Sequence, residues 1–245
     1  MPFPAMVPAK GRNVNNLIVC GPSGKKEEEI ANKECAIVEA VMPSVEGIGN
    51  HKPAKKEIWI CGNSVISVSK MRAKSTSHWF LLGFPPSTTN VYWYGNPTLM
   101  WDDLLPLLHE IYHCRSYPSI ILIHLGENDL LIDSRCSLVP RMQNDLGILR
   151  RALPDVVIIW SSLLPLHFWT SSEKLQGMES ERNNVNCKMA KYCNETGICY
   201  LSHKLITAEK KPLFMPDNTL SSAGADIFVR DLVEVLKPYH VCNEF

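Results

Sequence analysis

The chain has 245 residues, 45% hydrophobic and 20% charged, and its 25 basic and 25 acidic residues leave a formal net charge of zero. That length supports one full core plus an appendage, and the balanced charge argues against a long electrostatic track for nucleic acid. No stretch approaches the roughly 18 uninterrupted apolar residues of a membrane span, so collagen-like, disulfide-stapled, coiled-coil and membrane classes are excluded.

Residues 1–55 carry a charge run (Lys25-Lys26-Glu27-Glu28-Glu29), scattered proline and glycine, and no sustained apolar period beyond Leu17 to Cys20. They read as a weakly ordered extension. Leu17 to Lys26 has the look of a phosphate-binding loop, but Val19 stands where a Walker motif needs glycine and Lys26 where it needs serine or threonine. Met1-Pro2-Phe3-Pro4 lacks the basic and apolar regions of a secretory signal. The expectation is therefore a cytoplasmic protein whose nine cysteines, none in a Cys-x-x-Cys pair, are reduced thiols. The sequon Asn194-Glu195-Thr196 would then stay unmodified.

From Glu57 onward, short β-branched apolar runs alternate with helical patterns. The runs are Ile58 to Cys61, Val91 to Tyr94, Ser119 to Leu125, Val156 to Trp160 and Ile198 to Leu201. Nearly continuous apolar character suits strands buried on both faces of a parallel sheet. Between them, Leu104, Leu105, Leu108, Ile111 and Tyr112 make one apolar helical stripe, and Leu138 to Leu153 and Lys174 to Asn194 read as two further helices. A last helix opens at Ser221-Ser222 and runs to Leu236, with Asp226 in its early turns and Pro238 as its stop. This alternation predicts a three-layer α/β sandwich with five parallel strands over residues 56–238, followed by a tail over 239–245.

In such a sheet, ligands bind beyond the carboxyl ends of the strands, and right-handed crossovers put those ends on one rim. Three runs end on glycine plus polar groups: Gly62-Asn63-Ser64, Gly95-Asn96 and Gly126-Glu127-Asn128-Asp129. A serine after a strand, a bare glycine amide and an asparagine amide are the parts of a nucleophile with an oxyanion hole. Taken singly, each glycine is what any strand-to-helix turn uses.

These residues resemble the SGNH (GDSL-type) hydrolases, a flavodoxin-like family with four sequence blocks. Gly62-Asn63-Ser64 resembles the first block, with Asn63 where the family usually has aspartate; Gly95 resembles the second, and Gly126-Glu127-Asn128-Asp129 matches the third in full. The likeness covers residues 57–237 and is nearest to a vertebrate SGNH-like group written Ile-Trp-Ile-x-Gly-x-Ser, with relatives inside retroelement reading frames. It implies an esterase acting on carboxylic (acetyl) esters, with Ser64 as nucleophile and an oxyanion hole from the Ser64 and Gly95 amides and the Asn128 side chain. No cofactor or metal is implied, and the expected partner is a small or acylated substrate.

The fourth block departs from the family. Where it reads Asp-x-x-His, this chain has Asp217-Asn218-Thr219-Leu220, and an alignment anchored on Leu220-Ser221 puts Thr219 beside the histidine slot. A threonine hydroxyl cannot take the serine proton near neutral pH. The expectation is strongly reduced or absent turnover, with Asp217 left from a broken dyad and His203 and His167 as substitute bases. A catalytically inactive binding or scaffold module is the alternative. His124, inside a strand, reads as a satisfied core residue, and Trp93, Tyr94 and Trp101 read as core aromatics. His109-Glu110-Ile111-Tyr112-His113 matches a zinc-protease signature, but both histidines fall away from the apolar stripe and no third ligand follows at a usual spacing.

Overall fold

The computed structural model describes residues 55–76, 79–132, 138–165 and 173–240. The expected extension lies outside these but for Lys55, and the expected tail but for Tyr239 and His240. In chain order the elements are β1 (Lys56–Gly62), α1 (Ser64–Ser75), β2 (Thr89–Gly95), α2 (Leu104–Cys114), β3 (Ile120–His124), α3 (Glu127–Ile132), α4 (Leu138–Ala152), β4 (Val157–Ser161), α5 (Glu173–Thr196), β5 (Cys199–Leu201) and α6 (Ser222–Leu236). The five strands form one sheet in the order β2-β1-β3-β4-β5, every neighbouring pair parallel.

The pleat sorts the strand side chains into two cores. Trp59, Cys61, Ile121, Ile123, Ile158 and Trp160 pack with Leu104 and Leu108 of α2, Met142 and Leu146 of α4, and Val185 and Met189 of α5. Ile58, Ile60, Ile120, Leu122 and Ile159 face the other way, against Ile66 of α1 and Phe228, Val229 and Leu232 of α6. The result is the expected three-layer α/β sandwich. Register aligns the carboxyl ends: Gly62 lies beside both Gly95 and His124, and Ser161 beside Leu201.

Two helices are not evident from apolar periodicity. The buried side of α1 is Val65, Ile66, Ser69 and Ala73, with only two large apolar residues, so no stripe is visible. The six-residue α3 buries Glu127 and Asp129, the reverse of what amphipathic reading assumes. Tertiary contacts hold both. Arg72 of α1 makes a bidentate pair with Asp226 of α6, at 2.6 and 2.8 Å, on a partly exposed surface where such pairs contribute modestly. The start of α6 follows its sequence signal, with Ser221 Oγ accepting from Gly224 N.

Close approach of α1 to the sheet is what the strand-end glycines permit. A Cβ at Gly95 would lie 2.6 Å from Ser67 N and 2.7 Å from Ser67 Oγ. Gly95→Ala must therefore push α1 off β2, and a destabilisation of roughly 1–3 kcal/mol is expected from chemical denaturation. Gly177→Ala in α5, where nothing lies within 4 Å of the new methyl, should be neutral or stabilising.

Candidate functional site

A cavity of about 110 Å³ opens at the carboxyl ends of β1 and β3. Its polar wall is Asn63 and Ser64 from the β1–α1 turn, Glu127 and Asn128 from the start of α3, and Asp217 and Thr219 from the loop before α6; Leu164, Phe214 and Leu220 close its apolar side. Ser64, Asn128 and Asp217 are thus brought together, whereas Gly95 and His203 are not among the lining residues. His167 lies outside the described residues. A larger depression of about 390 Å³ at the amino ends of β4 and β5 is lined by no serine or histidine, and its Cys193 thiol is pushed up to about 12, mainly by burial.

Ser64 is the first residue of α1, placed by the N-cap Asn63, whose Oδ1 accepts from Val65 N at 3.0 Å. The Ser64 hydroxyl has no hydrogen-bond partner among the described residues. Asn128 uses its amide elsewhere: Nδ2 donates to Pro97 O and Leu99 O, each at 2.9 Å, which occupies both N–H groups. Asp217 Oδ1 accepts from Thr219 Oγ1 at 2.7 Å and Thr219 N at 3.0 Å, and these two bonds hold its carboxyl below the ordinary range. That loop is tightly closed. Phe214 and Leu220 form an antiparallel bridge, Met215 N donates to Thr219 O at 2.8 Å, and Asn218 takes a left-handed φ of 65°.

Behind the cavity runs a continuous buried polar chain. Asn63 Nδ2 donates to Glu127 Oε2 at 2.7 Å. Glu127 Oε1 lies 2.9 Å from His124 Nε2 and accepts from Leu164 N at 3.0 Å. His124 Nδ1 is 2.8 Å from Ser161 Oγ, which is 2.7 Å from His203 Nε2; His203 Nδ1 is 2.9 Å from Asp231 Oδ2. Ser161, His203 and Asp231 therefore stand in the order and spacing of a nucleophile, its base and the group that orients it. Yet Ser161 and His124 are both fully buried, and the second side of the serine oxygen is taken by His124.

The protons in this chain follow from geometry. Asp231 has only acceptor oxygens when ionised, so His203 Nδ1 carries the hydrogen and Nε2 is left to accept from Ser161 Oγ–H. The serine oxygen then accepts from His124 Nδ1–H. His203 is held below its ordinary range chiefly by burial, which outweighs the Asp231 contact, and it stays neutral at neutral pH. Both of its ring nitrogens are engaged and it lies outside the cavity, so it does not stand as a substitute base for Ser64. Burial opposes the charge of Glu127, but the adjacent His124 ring and the Leu164 amide more than offset it and leave the carboxyl below its ordinary range.

Each member of this chain sits at a strand end or on a flanking helix, and the strand order β3-β4-β5 is what makes them neighbours. Ser161 at a strand end and His203 just after β5 were visible in sequence; Asp231, inside α6, carried no signal. The third block is structural as well: Asp129 Oδ2 accepts from Trp101 N at 2.9 Å. Of the expected core aromatics, Trp93 and Trp101 are buried and Tyr94 half-buried. On α2, His113 is exposed and His109 half-buried, and among the described residues no group of three or more His, Cys, Asp or Glu side chains could hold a metal ion.

Neither a protein-family model nor a curated protein matches the sequence. Solved structures do. A GDSL-like lipase from Bacteroides thetaiotaomicron superposes with a TM-score of 0.57 at 12% identity, covering 86% of this chain and 97% of its own. The fold is that of GDSL-like lipolytic hydrolases. A lipase/acylhydrolase from Enterococcus faecalis gives 0.58 at 14% identity, over 75% and 96% of the two chains. A carbohydrate esterase family 3 protein from Talaromyces cellulolyticus gives 0.54 at 15%, over 76% and 98%. No helix among the described residues is long and apolar enough to cross a membrane.

The GDSL-like fold makes the asparagine at position 63 informative. An aspartate there would set a carboxylate 2.7 Å from Glu127 where an amide N–H now donates. Two carboxylates that close cannot both ionise, so the folded-state pKa of one must rise by ~2–3 units. Asn63→Asp is expected to cost on the order of 3–4 kcal/mol at neutral pH. A raised carboxyl pKa destabilises above the unfolded value and ceases to do so below it, so the deficit should shrink as pH falls below the raised value and be nearly gone by about pH 4. Denaturation of parent and variant at pH 7.5 and pH 4 measures this; a deficit that does not change with pH contradicts the carboxylate account.

Proposed function

We propose that this is an SGNH esterase-type domain that has lost serine hydrolysis and keeps its strand-end cavity for binding. The observation that carries this reading is that Ser64 lines the cavity and no histidine, lysine or arginine is among the described residues that line it with Ser64. Attack by a serine needs a base to take its proton, and a carboxylate held as low as Asp217 is a poor one. Loss of the base from such a triad lowers turnover by about 10⁴–10⁶.

The electrostatics point the same way. A tetrahedral intermediate carries its charge on oxygen, and donors must await it. Here both Asn128 N–H groups are committed to backbone carbonyls, and the Glu127 carboxylate borders the cavity. An oxyanion would form beside a fixed negative charge. The cavity volume of about 110 Å³ suits a small group such as acetyl, and its charge favours a neutral ester or amide over a free carboxylate. Resemblance to a group with relatives inside retroelement reading frames fits a domain retained for binding. A slow esterase is the second reading, favoured by the shared location of Ser64, Asn128 and Asp217.

Hydrolysis of an activated acetyl ester separates the two. Parent and Ser64→Ala should give the same rate within a factor of about two, since without a base the serine contributes little. Multiple turnovers that vanish in Ser64→Ala would establish the esterase instead. Thr219→His, which sets an imidazole next to Asp217 in the cavity wall, is expected to raise Ser64-dependent hydrolysis at least ~10-fold, the lower end of what a positioned base supplies.

A further inference from the structure

The His109-Glu110-Ile111-Tyr112-His113 segment of α2 takes no part in the strand-end cavity. Its histidines are one helical turn apart, and their Nε2 atoms approach to 3.0 Å with ring centroids 4.4 Å apart. Without an ion, one ring donates Nε2–H to the bare nitrogen of the other. Two nitrogens 3.0 Å apart subtend roughly 95° at an ion ~2.05 Å from each. That is the angle between adjacent ligands in square-planar or octahedral coordination. Tetrahedral coordination would need the nitrogens ~3.4 Å apart.

We propose that His109 and His113 form a surface chelate for a divalent late-transition cation of the nickel and copper class. Imidazole nitrogens and a near-right-angled bite are the donor type and geometry such ions select. On binding, the donating ring moves its proton from Nε2 to Nδ1, so both Nε2 lone pairs face the ion and no net proton is released. The terminal torsion of histidine is broad, which lets the rings tilt toward a common point while the helix stays fixed. Water fills the other positions. This is not a protease centre: a metalloprotease needs a third protein ligand, and Glu110 projects about 100° around the helix from His109.

The test is calorimetric titration with nickel chloride, a probe that does not oxidise thiols, on the full chain purified without an affinity tag. It is run in a Cys114→Ser background, because the exposed Cys114 adjoins the pair. One ion per chain is expected, with affinity at least ~10-fold weaker in His109→Ala and in His113→Ala, since losing either ligand abolishes the chelate. His113→Gln, which keeps an exposed polar side chain, should lose as much, and Glu110→Gln should change nothing. A smaller loss in either alanine variant, a loss that His113→Gln does not share, or no binding by the parent overturns the proposal.

Discussion

The buried polar chain from Asn63 through Glu127, His124, Ser161 and His203 to Asp231 is the constraint on which the rim of this sheet depends. It joins the ends of β1, β3 and β4, the turn after β5, and α6, largely at a depth where an orphaned polar group costs about 1–3 kcal/mol. Each link fixes the rotamer and proton of the next. The Glu127–His124 link is a close 2.9 Å contact rather than an aligned hydrogen bond, so the chain consists of two hydrogen-bonded parts, Asn63–Glu127 and His124–Ser161–His203–Asp231. The sandwich could have been held by its two apolar cores alone; the polar chain decides how the strand ends meet.

Asn63 serves two masters, capping α1 through Oδ1 and donating to Glu127 through Nδ2. An amide does both at once, whereas an ionised carboxylate can only accept. Glu127 in turn sets its carboxylate at the edge of the cavity. Ser161, His203 and Asp231 have the spacing of a working triad, but Ser161 and His203 are buried and none of the three lines the cavity.

Much of this could be read from residue order. Five strands follow from β-branched runs, because strands covered on both faces have no polar side to confuse the pattern. Four helices follow from apolar stripes. Helix α1 does not, since glycines at 62 and 95 let it dock closely with few large side chains. The meeting of Ser64 and Asn128 in one cavity was legible from their motifs at strand ends, and Asp217 joined them through the resemblance of its loop to the fourth family block. Gly95 stands at the expected rim beside Gly62 but does not line the cavity, and its lack of a side chain serves the close packing of Ser67. The pairing of His203 with Ser161 and Asp231 depends on strand order and side-chain rotamers, neither of which periodicity encodes.

The loop carrying Asp217 and Thr219 has a thermodynamic consequence. Its bridge between Phe214 and Leu220, its internal backbone bonds and its left-handed Asn218 fix those residues when the chain folds. A guest arriving at the rim meets a wall that is already rigid. It is spared the roughly 0.5–1.5 kcal/mol per side chain that ordering a slack loop would subtract from its affinity. A few contacts in so small a space would then weigh more in occupancy than the same contacts against a slack wall.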